Sequence, residues 1–212
     1  MRTQRAPIWI SVVLATMLAL GCGSAPPNQS NGASPQAQQK EPTLYTAKQC
    51  FTSMVGLAQR WQPDALPFHM ESELTTEATG QAGKATIWRA MFASQSRGLM
   101  KSFVCSGSTV PFAPARGYTS SAESPFPPNV PALIFDPAYF QSDSDKAFAS
   151  SLEHGGTALL KQDTKQPVTY LLDWDAKQEA LLWTVIYGKS QADRKGLAVI
   201  NASTGTFIRA GK

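Results

Sequence analysis

Three sets of side chains in this sequence have types and spacing that chemistry could use. His69, Glu71 and Glu73 occupy alternate positions of one stretch, so on a strand they project from one face, as ligands of a hard or borderline cation would. Two carboxylates and one imidazole on an open strand bring no convergent fourth ligand, however, and a solvated sheet face explains them better. Ser151 and His154 stand one helical turn apart, with Asp173 or Asp175 as the acid that would complete a triad. Nothing around Ser151 resembles a nucleophile elbow, and His154, directly before Gly155 and Gly156, is placed to cap helix carbonyls instead. The third set is the cysteines: Cys22, Cys50 and Cys105. With two histidines, no CxxC, no HExxH and no phosphate-binding glycine loop, the common enzyme toolkits are missing. Carboxylate catalysis alone stays open, because paired acids cannot be recognised without coordinates. The expectation is a protein that is not an enzyme, with no catalytic residue, metal or cofactor.

The residues that must position these groups begin after a leader. Arg2 and Arg5 precede an apolar run over residues 8–20, closed by Gly21 and Cys22. That is the charged head, short core and small-residue cleavage point of an export signal, and the core is shorter than the roughly 20 residues of a membrane span. Leu18-Ala19-Leu20-Gly21-Cys22 resembles the lipobox of bacterial lipoproteins, with Leu20 where alanine or serine is commoner. The resemblance implies removal of residues 1–21 and acylation of Cys22. Gly23, not aspartate, implies sorting to the outer membrane, facing the periplasm. Residues 22–42 are rich in Pro, Ser, Asn, Gln and Gly with no large apolar side chain, the composition of a disordered tether. Loss of the leader, with its two arginines and no acid, lowers the net charge from +4 to +2. No Lys/Arg cluster of nucleic-acid-binding density is present, so no nucleic-acid partner is expected.

The remaining residues read as one unit used twice. Thr46 and Gln49 have capping-box spacing, and Cys50, Met54, Leu57, Ala58 and Trp61 follow at helical spacing until Pro63. Phe68, Met70, Ser72 and Leu74 then alternate with the His69 set, residues 79–83 turn, Trp88, Ala90 and Phe92 line one face of a second strand, and residues 99–105 form a third. In the second half residues 143–154 are helical in pattern, with Gly155-Gly156 as terminator. Val168, Tyr170, Leu172 and Trp174 alternate, and residues 181–209 read as three antiparallel strands with Gly205 in the last turn. An offset of 95 residues superposes Trp88 on Trp183, Ala90 on Val185 and Phe92 on Tyr187. Trp88, Phe92, Trp183, Val185 and Tyr187 are therefore expected in a helix–sheet core. Between the halves, six prolines from Pro111 to Pro131 exclude a regular helix or a central strand and suggest a connector or a long lid.

The 143–148 helix start, Glu153-His154-Gly155-Gly156, the Trp183 strand and the Val199–Gly205 turn resemble PepSY and related cystatin-like domains, with Asn201 where the family often has aspartate. The resemblance implies an α+β fold in which two cystatin-like repeats, 43–112 and 141–212, each pack a helix on a four-stranded antiparallel meander, joined by the connector 113–140. It also implies an exported envelope protein that binds other proteins or restrains peptidases.

Removal of Cys22 to lipid leaves Cys50 and Cys105 in one repeat. In an oxidising compartment they could bridge helix to sheet, or remain two buried thiols. In the Trp183 strand both faces are apolar, Leu182 and Ile186 lying opposite Trp183 and Val185, so the sheet is expected to be covered twice, the second time by the other repeat, the connector or a partner. The functional expectation is a membrane-anchored, non-catalytic binding module of the bacterial envelope with a protein or peptide partner. A peptidase-restraining domain and a small enzyme on a cystatin-like cone are the alternatives.

Overall fold

The computed structural model describes residues 41–211; the leader, Cys22 and most of the tether lie outside the described residues. Chain entry is β1 (Tyr45–Thr46), whose Thr46 is the N-cap of α1 (Ala47–Trp61). Gln49 Oε1 accepts a bond from the Thr46 N–H at 2.9 Å, satisfying one donor ahead of the helix. Ala47, Cys50, Phe51, Met54 and Ala58 are the buried face, spaced so that one stripe meets the sheet. The helix stops before Pro63, which could not donate to it.

Four strands follow: β2 (Leu66–Glu73), the short β3 (Lys84–Ala85) that pairs with β1, β4 (Ile87–Ser94) and β5 (Leu99–Ser106). The connector then contributes β6 (Gly117–Ser120) and β7 (Ser124–Pro125), both paired to β5. The first half's fourth strand thus lies inside 113–140, beyond the expected repeat boundary at 112. The prolines forbid a central strand, but β6 contains none and β7 carries Pro125 at an edge, where a missing donor costs least.

The second half opens with α2 (Ser144–Ser151), capped by Asp143. Here the glycine terminator expected at 155–156 is corrected: the chain passes through one wide π-type turn, Leu152–Gly156, and resumes as α3 (Thr157–Gln162). Gly155 takes φ +109, bending the axis, while Gly156 lies so close over Tyr187 that a Cβ would overlap the phenol oxygen. The two glycines therefore serve a bend and a close approach. Thr157 Oγ1 donates to the Leu152 carbonyl at 2.9 Å across the bend. Strands β8 (Val168–Asp175), β9 (Ala180–Gly188), β10 (Arg194–Asn201) and β11 (Phe207–Gly211) complete the chain.

All the long strands join one antiparallel sheet in the order β11-β10-β9-β8-β2-β4-β5-β6, with β7 also on β5. The halves meet where β2 pairs with β8, His69 opposite Asp173 and Met70 opposite Leu172. Equivalent strands keep equivalent register: Trp88 faces Cys105 and Ala90 faces Phe103, as Trp183 faces Ile200 and Val185 faces Ala198. The chain is α+β, built on a large antiparallel sheet with helices on one face.

The main core lies between helices and sheet, and Trp88, Phe92, Trp183, Val185 and Tyr187 are all buried in it. A disulfide joins Cys50 of α1 to Cys105 of β5, so the bridged alternative holds. The connector enters this core through Phe135 and Phe140, whose rings lie 6.5 and 5.1 Å from Phe51. On the opposite face, Val130, Phe126, Leu133 and Ile134 of the connector pack on Phe68, Ala93, Met91 and Met100. The connector is thus structural on both faces of the sheet. Gly205 is a turn residue with φ +76, and Asn201 Oδ1 accepts from the Ser203 and Thr204 amides in the same turn, which is an Asx-turn.

Candidate functional site

Of the three sets, Cys50 and Cys105 are joined as a disulfide, and the Ser151 set does not assemble into a triad. The buried Ser151 hydroxyl donates to the Phe148 carbonyl and pairs with the Tyr187 hydroxyl, both at 2.7 Å. Burial pushes the Tyr187 phenol above its usual range, the Ser151 bond opposing. His154 caps no carbonyl among the described residues, contrary to expectation: its ring stacks on Phe207 with centroids 3.6 Å apart. Asp175 accepts from the Lys177 and Gln178 amides in the β8–β9 turn. The serine has a tyrosine for a partner, and its would-be base and acid lie in other settings.

The His69 set is an ionic cluster at the seam of the two halves. His69 Nδ1 lies 2.6 Å from Asp173 Oδ1 and Nε2 lies 3.6 Å from Glu71 Oε2, while Glu73 is bonded to Arg89. Burial alone would lower the imidazole, but the bonds to Asp173 and Glu71 outweigh it and hold His69 at about 9. His69 in turn keeps the Glu71 carboxyl below the usual range. A protonated imidazole with carboxylates on both sides has no lone pair for a metal or a proton. Among the described residues no group of three His, Cys, Asp or Glu side chains is arranged to hold a metal ion.

Beside this cluster, on the sheet face turned away from the helices, runs an open groove of about 1020 Å³. One wall is the end of β2 and the following turn, with Glu71, Glu73, Thr75, Thr76 and Thr79. Ile87 and Thr169 form its floor, Lys189 stands at one end, and the second wall is the loop segment 110–114. Alternation places these strand residues here, since each neighbours an inward core residue such as Trp88 or Tyr170.

The loop wall is fixed from below. Glu77 accepts from the Ser108 hydroxyl, from the Thr109 amide at 2.8 Å and from the Thr109 hydroxyl, bonds that hold its carboxyl below the usual range. Ser106 Oγ donates to the Pro114 carbonyl at 2.9 Å, and the Ala113 amide closes a turn onto the Val110 carbonyl at 3.2 Å. In that turn Pro111 is second and Phe112 third, with φ +70, the pattern of a type II turn whose third position favours Gly or Asn. A side chain there costs roughly 1–2 kcal/mol, and the Phe112 ring is 106% exposed. Neither Phe112 nor Glu77 was legible as a site residue. A proline followed by an aromatic is a common loop pair, and Glu77 meets its partners 31 and 32 residues later.

No protein-family model matches the chain, and no curated protein matches it. Among solved structures it is similar to the crystal structure of a protein assigned as a lipoprotein in Clostridium difficile 630, with TM-score 0.51 and 10% identity over 81% of this chain and 93% of that one. At that identity the likeness is one of fold, and it does not extend to PepSY or cystatin-like repeats. No helix among the described residues is long and apolar enough to cross a membrane.

Proposed function

We propose that this chain is a lipid-anchored, non-catalytic binding module of the bacterial envelope, held at the outer membrane through Cys22, with the groove beside Thr76 and Thr169 as its contact surface for a protein or peptide segment. The carrying observation is the groove itself. Its loop wall is pinned by Glu77, its lining combines prolines (Pro111, Pro114, Pro167) with threonines (Thr75, Thr76, Thr79, Thr169), and the nearby imidazole is occupied by Asp173 and Glu71. A pre-shaped surface with hydrogen-bonding handles and no activated nucleophile suits recognition better than turnover. The lipobox of the leader and a fold shared with a protein assigned as a lipoprotein support the anchored location. The equal register of β4–β5 and β9–β10 supports reading the halves as two copies of one unit.

A photo-crosslinking residue at Thr76, in the full chain expressed in its own envelope, tests the groove. The expectation is a discrete adduct from Thr76 and none from Lys146, an exposed position of α2. Adducts from neither position, or equally from both, contradict the reading.

A further inference from the structure

We propose that the Val110–Ala113 turn is a membrane contact, with the Phe112 ring seated at the lipid interface. Phe112 is fully exposed and adopts φ +70, so the fold bears an unfavourable backbone geometry for a ring that packs on nothing of its own. An apolar surface outside the chain gives that ring a use. Val110 and Pro111 precede it, and the bonds of Ser108 and Thr109 to Glu77, of Ser106 to Pro114 and of Ala113 to Val110 hold the turn in place. Little conformational freedom is then lost when the ring leaves water.

The position of the turn selects lipid as the partner. Arg116, four residues on, donates to the Glu41 carbonyl at 2.9 Å and to Thr43 Oγ1 at 2.7 Å, and the Thr43 amide donates to the Gly107 carbonyl at 2.9 Å. The chain arriving from Cys22 thus runs along the base of this same loop. Between Cys22 and Glu41 stand 18 residues whose composition is that of a tether; a random-coil chain of that length has a root-mean-square reach of roughly 25 Å, so a lipid-held Cys22 would keep this end of the domain near the headgroups. At that effective concentration a contact too weak to bind vesicles alone becomes populated. This inference rests on the anchored reading above, and its test separates the two.

The mature chain from Cys22 is coupled through that thiol to a maleimide lipid in phosphatidylethanolamine–phosphatidylglycerol vesicles. Cys50 and Cys105 are bonded to each other and do not react. In Phe112→Trp, the emission added over the native chain is expected to shift to the blue on coupling and to be quenched by brominated lipids. Phe112→Gly, which suits the positive φ and remains folded, is expected to lose the slowing of hydrogen exchange at residues 110–116 that coupling produces in the native chain. Emission at water-exposed wavelengths, insensitive to brominated lipid, overturns the proposal, as does exchange slowing that Phe112→Gly retains. Chemical coupling makes the outcome independent of natural lipidation, which radiolabelled palmitate on Cys22 reports separately.

Discussion

Trp88 and Trp183 meet edge to face in the centre of the core, ring centroids 6.3 Å apart, and each indole performs the same task in its own half. Trp88 Nε1 donates to the Tyr45 carbonyl at 2.9 Å and Trp183 Nε1 to the Ser142 carbonyl at 2.8 Å. Both carbonyls belong to the residue just before a helix N-cap, Thr46 in one case and Asp143 in the other. The buried rings therefore contribute area and also tie each helix start to the sheet.

Trp88→Phe and Trp183→Phe each keep most of the apolar area but leave a carbonyl without its donor, at a cost of about 1–3 kcal/mol in denaturant unfolding. Because the rings touch, the double variant is expected to deviate from additivity. Additive losses would mean that the halves do not communicate through this pair.

Asp143 serves two helices. Its Oδ1 accepts from the Ser144 amide at 2.7 Å, in α2, and from the Lys48 amide at 2.9 Å, in the first turn of α1. Asp143→Ala removes both caps and a charge favoured at both positive helix ends, so a loss of about 2 kcal/mol is expected. Asp143→Asn, which keeps an acceptor, should lose less.

The disulfide closes a loop of 55 residues between Cys50 and Cys105. Chain-entropy arguments give about 4 kcal/mol for a loop of that size. A Cys50→Ala, Cys105→Ala chain is expected to unfold at correspondingly lower denaturant. Alkylation of the native mature chain without reductant should leave both of these thiols unmodified.

His69 makes the β2–β8 seam sensitive to pH. Its folded value of about 9 exceeds the ordinary 6.5, so its contribution is complete below 6.5 and is lost as pH rises through about 9. Glu71 is shifted downward, and its contribution is present above the ordinary 4.5 and lost as pH falls through the lower folded value. Stability measured by thermal melts should therefore decline between pH 6.5 and 9 in the native chain, with a shallower decline in His69→Gln. An NMR titration placing the His69 midpoint near 6.5 would contradict this assignment.

Phe112→Gly relieves a left-handed side chain, worth about 1–2 kcal/mol, against a glycine entropy cost of about 0.5–1 kcal/mol. A net gain of about 0.5 kcal/mol is expected, read as a small rise in melting temperature. A clear fall would show that the ring has a stabilising contact within the fold.

Much of the helix–sheet core was legible from local pattern. The capping-box spacing of Thr46 and Gln49 marks the start of α1, and the offset that carries Trp88 onto Trp183 also carries the β4–β5 register onto β9–β10. What stayed hidden depends on contacts between distant segments. The pairing of β2 with β8 has no local signature, because any strand edge could have met any other. The Asp143 bond to Lys48 spans 95 residues. Gly155-Gly156 carry the composition of a helix end, and only the nearness of Tyr187 reveals that the helix must bend there and continue. The connector's prolines correctly excluded a central strand while concealing an edge strand and the aromatic residues Phe135 and Phe140, which fill the core. The groove was equally hidden, since Thr76, Val110 and Thr169 come from three separated stretches.

The most direct measurement compares hydrogen exchange of the full lipidated chain in its own envelope with that of the same chain purified in detergent. A module that docks through the groove and the Phe112 turn predicts slower exchange in the envelope at residues 74–79 and 107–116, with α1 unchanged. Identical exchange in both settings, or slowing confined to the helices, would contradict it.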